Sequence, residues 1–460
     1  MTIDAVRSPT LDTYFAYVAN LGTHTFYMMF LPVCFWCGQT TGGRALVHML
    51  ALGVFWSGWV KDLLCLPRPL SPPLQRITMS GSAALEYGFP STHSTNAVSV
   101  AVYMIYHIQD GGTSLPESFQ LPAIIACYWY AISIIIGRLY CGMHGFFDVV
   151  IGSLLGAAIA WIQLYYGPAY DNLISQGDWY WALLSSLAIL VAVRFHPEPA
   201  DNCPCFDDSI SFAGVNIGIE IAHWHFAKSP FSWDHPVPST IPFSLSKLGL
   251  IRTVLRLLVG VVIVFVWRAV AKPTLLKGLP PLFRQIEYVG LSLPRRFFKR
   301  ASQYTKVPRL LKDDNVIPPA RDIPKFISSL GKPRKRTVSV GPQSEADARE
   351  MLAQREIHRK QSLRDLQSMS SNGDIAVSTA VVDIQEAPDQ SKLLGHDLAQ
   401  GRSPYQSDSE QEKVVFEGIE KPRVRYDVEV VTKLVVYAGI GWLSCEGNAV
   451  LFALMGLGLR

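Results

Sequence analysis

The chain has 460 residues, 49% of them apolar and 17% charged, and the apolar residues are gathered into long runs, which excludes a disordered chain and an ordinary soluble core. A formal net charge of +4 with no recognisable nucleic-acid-binding module argues against nucleic acid as a partner. The 8 cysteines are scattered. Cys34 and Cys37 have zinc-like spacing without a second ligand pair and read as packing residues, whereas Cys203 and Cys205, flanking a proline, could pair, bind or do neither.

In chain order, apolar runs near 14–38, 44–66, 94–108, 121–140, 145–166, 179–195, 246–270 and 431–457 each approach the roughly 20 residues that span hydrocarbon. They predict about eight membrane helices. The first run lacks a basic leader and a small-residue cleavage site, so it reads as a retained span and not a signal peptide. A weaker run, SISFAGVNIGIEIAHWHF at 209–226, contains Glu220, His223 and His225, and the cost of such groups in lipid predicts a re-entrant or interfacial element there. From Lys272 to Arg336 there are 16 Lys or Arg against Glu287, Asp313, Asp314 and Asp322, a local net of +12. That excess predicts a cytosolic segment facing anionic lipid. Residues from about 322 to 428 have the composition of disorder, with Thr337 and Ser339 beside a basic cluster.

The expected fold class is therefore all-α: a polytopic membrane helix bundle with a six-helix core and a long, largely disordered cytosolic segment. The expected divisions are 1–43 (N-terminal segment and first span), 44–196 (core), 197–271 (lumenal re-entrant or interfacial element and the following span), 272–428 (basic then polar segment) and 429–460 (C-terminal hydrophobic segment).

Charged groups at the mouths of membrane helices are costly and point to function. Lys61 closes the second run and is followed by DLLCLPRPL, whose Pro67 and Pro69 stop the helix and hold Arg68 just outside it. GFPSTHSTNA at 88–97 opens the third run with Ser91 and His93, where hydroxyls cap a helix and backbone N–H groups favour an anion. GRLYCGMHGFFDVV at 137–150 places Arg138 at the end of the fourth run and His144 and Asp148 at the start of the fifth. Positions four apart share one helix face, so Asp148 can hold one imidazole nitrogen of His144 and leave the other to attack. Counting crossings, all of these points lie on one membrane face.

Three fixed cations, Lys61, Arg68 and Arg138, match a dianionic phosphate, with Ser91 assisting. His144 is then the nucleophile, His93 the acid that protonates the departing alkoxide, and a phosphohistidine the intermediate. Asp148 is the only carboxylate this reading ties to the cluster, so no magnesium site, other metal or cofactor is expected. A transporter or lipid binder without catalysis leaves the two histidines unexplained.

KDLLCLPRP (61–69), PSTH (90–93) and GRLYCGMHGFFD (137–148) resemble, in order and spacing, the three signature motifs of the type 2 phosphatidic acid phosphatase superfamily, the lipid phosphate phosphatases: K-x6-RP, PSGH and SR-x5-H-x3-D. Thr92 stands where that pattern has Gly, and Gly137 where it has Ser. With their surroundings, both changes resemble the branch of sphingosine-1-phosphate and long-chain-base-1-phosphate phosphatases, with fungal-like extensions. The resemblance covers roughly 45–170. It implies a phosphoric monoester hydrolase acting on a phosphorylated sphingoid base in sphingolipid metabolism, in a multi-pass protein of the endoplasmic reticulum with a lumenal active site. Its partners would be a lipid phosphate substrate and membrane lipids. It implies phosphate binding by Lys61, Arg68, Ser91 and Arg138, and catalysis by His144, His93 and Asp148. Phosphatidic acid, a polyprenyl diphosphate, or transfer to a lipid hydroxyl would need the same phosphate-handling residues.

Overall fold

The structure is a computed structural model that describes residues 7–22, 24–71, 74, 76–77, 85–111, 115–198, 203–307, 349–350, 352–353, 356–357, 360–361 and 424–459. The chain divides into two compact units, 1–69 with 74–337 and 422–460, and 70–73 with 338–421. In the second, the described residues are Leu70, Ser71 and a few helical ones that include a Lys360–Glu356 ion pair of 2.6 Å. The disorder expected over 322–428 lies almost wholly outside the described residues, as do Thr337 and Ser339. Residues 424–428 are an exception, forming a short strand and the start of a helix.

The first unit is helical, as the apolar runs predict. Its elements are α1 (Pro9–Asn20), α2 (His24–Trp36), α3 (Thr40–Leu64), α4 (Thr92–Gln109), α5 (Glu117–Tyr140), α6 (Phe146–Gln176), α7 (Trp179–Phe195), α8 (Cys205–Ala227), α9 (Leu245–Leu248), α10 (Leu250–Tyr288) and α11 (Asp427–Trp442). A π-helical turn at Leu443–Gly447 continues α11 into α12 (Asn448–Leu454). Phe298–Lys299 and Arg425–Tyr426 make a parallel strand pair two residues long. Helices suit these runs because each satisfies its own backbone groups where water is absent. Four are long and apolar enough to cross a membrane: α5, α6, α10 and the α11–α12 continuation. Their outer faces carry large exposed apolar side chains such as Leu121, Trp129, Leu154, Trp161 and Ile251. By contrast α3, α4 and α8, richer in polar residues, are largely enclosed by the others.

The expected first span is two helices broken around Leu21 and Gly22. α1 lies against the end of α5, where the Tyr140 hydroxyl donates to Asp12 (2.6 Å) and Phe15 packs on Tyr140.

The larger difference concerns α8. Its first turn touches the end of α3, where a Cβ on Gly58 would meet the Ser209 hydroxyl at 2.6 Å. Its last turns reach the start of α3 and the end of α6: Glu220 lies 3.1 Å from His48, and His223 bonds to the Asp171 carbonyl at 3.0 Å. α8 thus runs as one continuous helix from the end of α3 to its start, alongside the bundle helices, where a re-entrant or interfacial element was expected over 209–226. The cost assigned to Glu220 assumed lipid around it, but it sits inside protein against a histidine.

The path of α8 bears on where the following helix starts. α10 begins at the far end, where Arg256 donates to the Pro242 carbonyl (3.0 Å), and the chain after it returns to the end that carries the motifs. There Arg295 pairs with Glu198 at 3.2 Å and donates to the Val193 carbonyl, and Arg425 donates to the Cys203 carbonyl at 2.8 Å. The described part of the basic segment, up to residue 307, lies at the same end of the bundle as the motifs; the expectation was that the two lie on opposite membrane faces. Impermeant maleimide labelling of sealed microsomes, read by peptide mapping, checks this. The native exposed Cys65 and an added S302C should label from one side, and S246C from the other. Labelling of Cys65 and S302C from opposite sides would show that α8 does not cross.

Candidate active site

The three polar clusters converge because each sits at a helix end fixed by its own local chemistry. α3 stops at Leu64, with Cys65 in a left-handed conformation (φ 51°), and the prolines that follow cannot continue a helix. α4 starts on Ser91, whose hydroxyl accepts from the Ser94 N–H at 3.4 Å. α6 starts at Phe146, with Asp148 accepting from the Gly145 N–H at 2.7 Å. Glycines then let α4 and α6 close together: a Cβ on Gly152 would meet the Ser91 carbonyl at 2.5 Å, and one on Gly156 the Thr95 carbonyl at 2.2 Å. Ser91 N–H in turn donates to the Asp148 carbonyl at 2.9 Å, which ties the second cluster to the third.

All seven candidate residues gather at this end, and Lys61, Arg68, Ser91, His93, Arg138 and His144 are buried. Lys61 Nζ reaches Glu86 Oε2 and Thr92 Oγ1, both at 2.7 Å. Arg68 donates through Nε to the Glu86 carbonyl (2.7 Å), through Nη1 to the Met143 carbonyl (2.5 Å) and to His144 Nε2 (3.0 Å), and lies 3.4 Å from Glu86 Oε2. Arg138 Nε and Nη2 are buried with no hydrogen-bond partner among the described residues. A guanidinium edge in that condition is costly unless an anion accepts from it. His93 lies under the turn after α1, where a Cβ on Gly22 would meet its ring at 3.0 Å.

Glu86 is the residue that motif spacing leaves without a role. It occupies the centre, bridging Lys61 and Arg68, and so joins Asp148 as a second carboxylate of the cluster. Burial alone would raise its carboxyl, but Lys61, Arg68 and His93 overcome that and hold it well below the usual carboxylate range. Both of its cations are thereby kept charged and in place. Its contacts run across a loop, from residue 86 back to 61 and 68, and no periodicity announces them.

His144 is also held differently from expectation. Its Nδ1 donates to the Gly88 carbonyl at 2.7 Å, and Asp148 Oδ2 stands 3.7 Å away, occupied with capping α6. Since a carbonyl can only accept, the proton is on Nδ1 and the Nε2 lone pair faces Arg68. Burial and then Arg68, Arg138 and Lys61 push the imidazole well below its ordinary value, so it is neutral. Gly88 can present its carbonyl there because it has no side chain: a Cβ would meet the Pro67 carbonyl at 2.8 Å.

The arrangement is a buried cluster of three cations with one neutral imidazole lone pair directed among them. Over residues 42–170 the chain matches the PAP2 superfamily. It is 41% identical over 283 residues to a dihydrosphingosine 1-phosphate phosphatase of Schizosaccharomyces pombe, covering 61% of this chain and 66% of that protein. It is 36% identical over 270 residues to one of Saccharomyces cerevisiae, covering 58% and 64%, and 28% identical over 286 residues to human sphingosine-1-phosphate phosphatase 2, covering 59% and 67%. The chain thus spans just under two thirds of the length of the two fungal relatives. No solved structure matches it.

Replacing Glu86 by Gln leaves two buried cations without their counter-charge, which costs about 3–5 kcal/mol where one partner of a buried pair is removed. In detergent, E86Q should melt well below the parent at neutral pH. The sign of the pH dependence follows from the depressed carboxyl. Its contribution is fully present above the ordinary value of 4.5 and is lost as pH falls through the lower folded value, because the unfolded chain takes up the proton first. The gap between parent and E86Q should therefore begin to narrow as the pH falls below 4.5. A constant gap would mean that Glu86 is not ionised in the folded protein.

Proposed function

We propose that this chain, which matches the PAP2 superfamily over residues 42–170, is a membrane lipid phosphatase that removes phosphate from sphingoid long-chain base 1-phosphates through a phosphohistidine. The observation that carries this reading is the neutral His144, its Nε2 lone pair facing Arg68 among three buried cations. The names of the relatives support the substrate class.

In this reading the phosphate enters between Lys61, Arg68 and Arg138, and takes over the donor that Arg68 gives to His144. The free guanidinium edge of Arg138 supplies two parallel hydrogen bonds. His144 Nε2 attacks phosphorus, the N–P bond forms, and the ester P–O bond breaks. His93 gives its proton to the departing alkoxide oxygen, leaving the long-chain base with a free hydroxyl. Phosphorylation makes the imidazole cationic while Nδ1 keeps its hydrogen bond to the Gly88 carbonyl, and the Asp148 carboxylate nearby stabilises that charge. Water then attacks phosphorus and returns a proton to His93. The N–P bond breaks, inorganic phosphate leaves, and His144 is neutral again. The cations carry the largest share, since they already stand where charge gathers in the transition state. Acid help from His93 contributes about 10²–10⁴-fold. Both carboxylates of the cluster have tasks here, Glu86 holding cations and Asp148 balancing the intermediate, so no step calls for a metal.

The same reading places the protein in the endoplasmic reticulum membrane with the site facing the lumen. The basic segment then begins on the lumenal side as well. Positive charge orients short loops, and long segments translocate largely regardless of it, so this segment does not veto the arrangement. Shielding of both Cys65 and S302C in sealed microsomes is the lumenal outcome.

Turnover of H144A and H93A tests the chemistry. H144A should lose activity on every phosphate ester while remaining inserted. H93A should lose far less on an activated aryl phosphate than on a lipid phosphate, because an aryl oxide leaves without a proton. Near-parental activity of H144A, or equal losses of H93A on both substrates, would overturn the assignment.

A further inference from the structure

Beside the phosphate site, but outside the chemistry just described, two thiols and a carboxylate meet in the interior. Asp62 follows Lys61 at the end of α3, and Cys203 and Cys205 bracket Pro204 where α8 begins. All three are buried, and their ligating atoms lie within 4.8 Å of one another. We propose that Asp62, Cys203 and Cys205 form a zinc(II) site that clips the start of α8 to the end of α3.

The donor set selects the metal. Two thiolates favour a soft or borderline ion and disfavour magnesium and calcium, while a carboxylate as third ligand suits zinc better than copper(I). Three protein ligands leave a fourth tetrahedral position for water. The thiols stand 2.9 Å apart, too far for a disulfide bond of about 2.05 Å and somewhat closer than the roughly 3.8 Å that two sulfurs take on one tetrahedral zinc. Ligation therefore asks the two side chains to part by less than one ångström.

The surroundings suit the ion in other ways. Cys205 is the first residue of a 23-residue helix, where the positive end of the helix dipole stabilises a thiolate. Arg425 fixes the turn by donating to the Cys203 carbonyl at 2.8 Å. The nearby Asp207 is taken by Lys433 (2.7 Å), with Arg425 at 3.8 Å, and so stays out of the ligand set. Binding would release both thiol protons to solvent. The resulting cluster carries one net negative charge, two thiolates and a carboxylate against a divalent ion, which Lys61 and Arg425 are placed to balance. The zinc site takes no part in the chemical steps assigned above. Its structural consequence is to fix the end of α3 and, with it, the position of Lys61.

Metal analysis of the full-length protein, purified in detergent without chelator, tests the proposal. About one zinc per chain is expected, falling to background in the C203S/C205S double variant, with a lower melting temperature. Should that variant fail to fold, the parent protein decides the matter. Titration with an organomercurial should release zinc to pyridylazoresorcinol in step with modification of two thiols. Parent protein that holds no zinc even after equilibration with zinc chloride, a 203–205 disulfide in its peptide map, or zinc retained by the double variant would each overturn it.

Discussion

The Glu86 carboxylate, buried between Lys61 and Arg68, is the interaction on which the rest of the site depends. Two cations brought this close together inside a helix bundle would repel each other and lose their hydration, a cost several times the stability of a typical contact. One carboxylate cancels most of that cost and leaves each cation with donors to spare. It also helps to join the end of α3, the proline-rich turn after it and the loop that leads into α4. Once Arg68 is anchored at Glu86, its remaining donors reach the Met143 carbonyl and His144, which brings in the α5–α6 turn.

The same charges govern the nucleophile. A histidine surrounded by cations is a poor base, and here that serves the proposed chemistry, because it keeps the lone pair free of a proton. The cost appears after attack, when the imidazole becomes cationic in a site already rich in positive charge. The incoming phosphate dianion offsets it, and so do the Gly88 carbonyl at Nδ1 and the carboxylate of Asp148 nearby. Placing the carboxylate at 3.7 Å, with capping as its resting task, leaves it able to respond to that charge without raising the proton affinity of the resting histidine as strongly as a close pair would.

Much of this site was legible in the sequence, for a physical reason. Lys61, Arg68, Ser91, His93, Arg138, His144 and Asp148 sit at helix ends, and helix ends are written in prolines, caps and the edges of apolar runs. Glu86 and Gly88 were not legible as site residues because they act from an irregular loop, one through its carboxylate and the other through a backbone carbonyl. Periodicity is silent about both. The path of α8 is not legible either, for a different reason. Glu220 was costed against lipid, whereas His48 on α3 receives it, and a hydropathy argument cannot know which neighbour a polar residue will find. The runs that form α5, α6, α10 and the α11–α12 continuation, which are long and apolar enough to cross a membrane, are legible from hydropathy alone.

The account stands most directly on His144 as the residue that carries the phosphoryl group. Rapid denaturation during turnover of a radiolabelled long-chain base 1-phosphate, followed by peptide mapping, measures this. A phosphohistidine account predicts label that is stable to alkali, released by mild acid and confined to the peptide containing residue 144. Label on a serine peptide such as that of Ser91, or turnover at full rate with no labelled protein at any time of quenching, would contradict it.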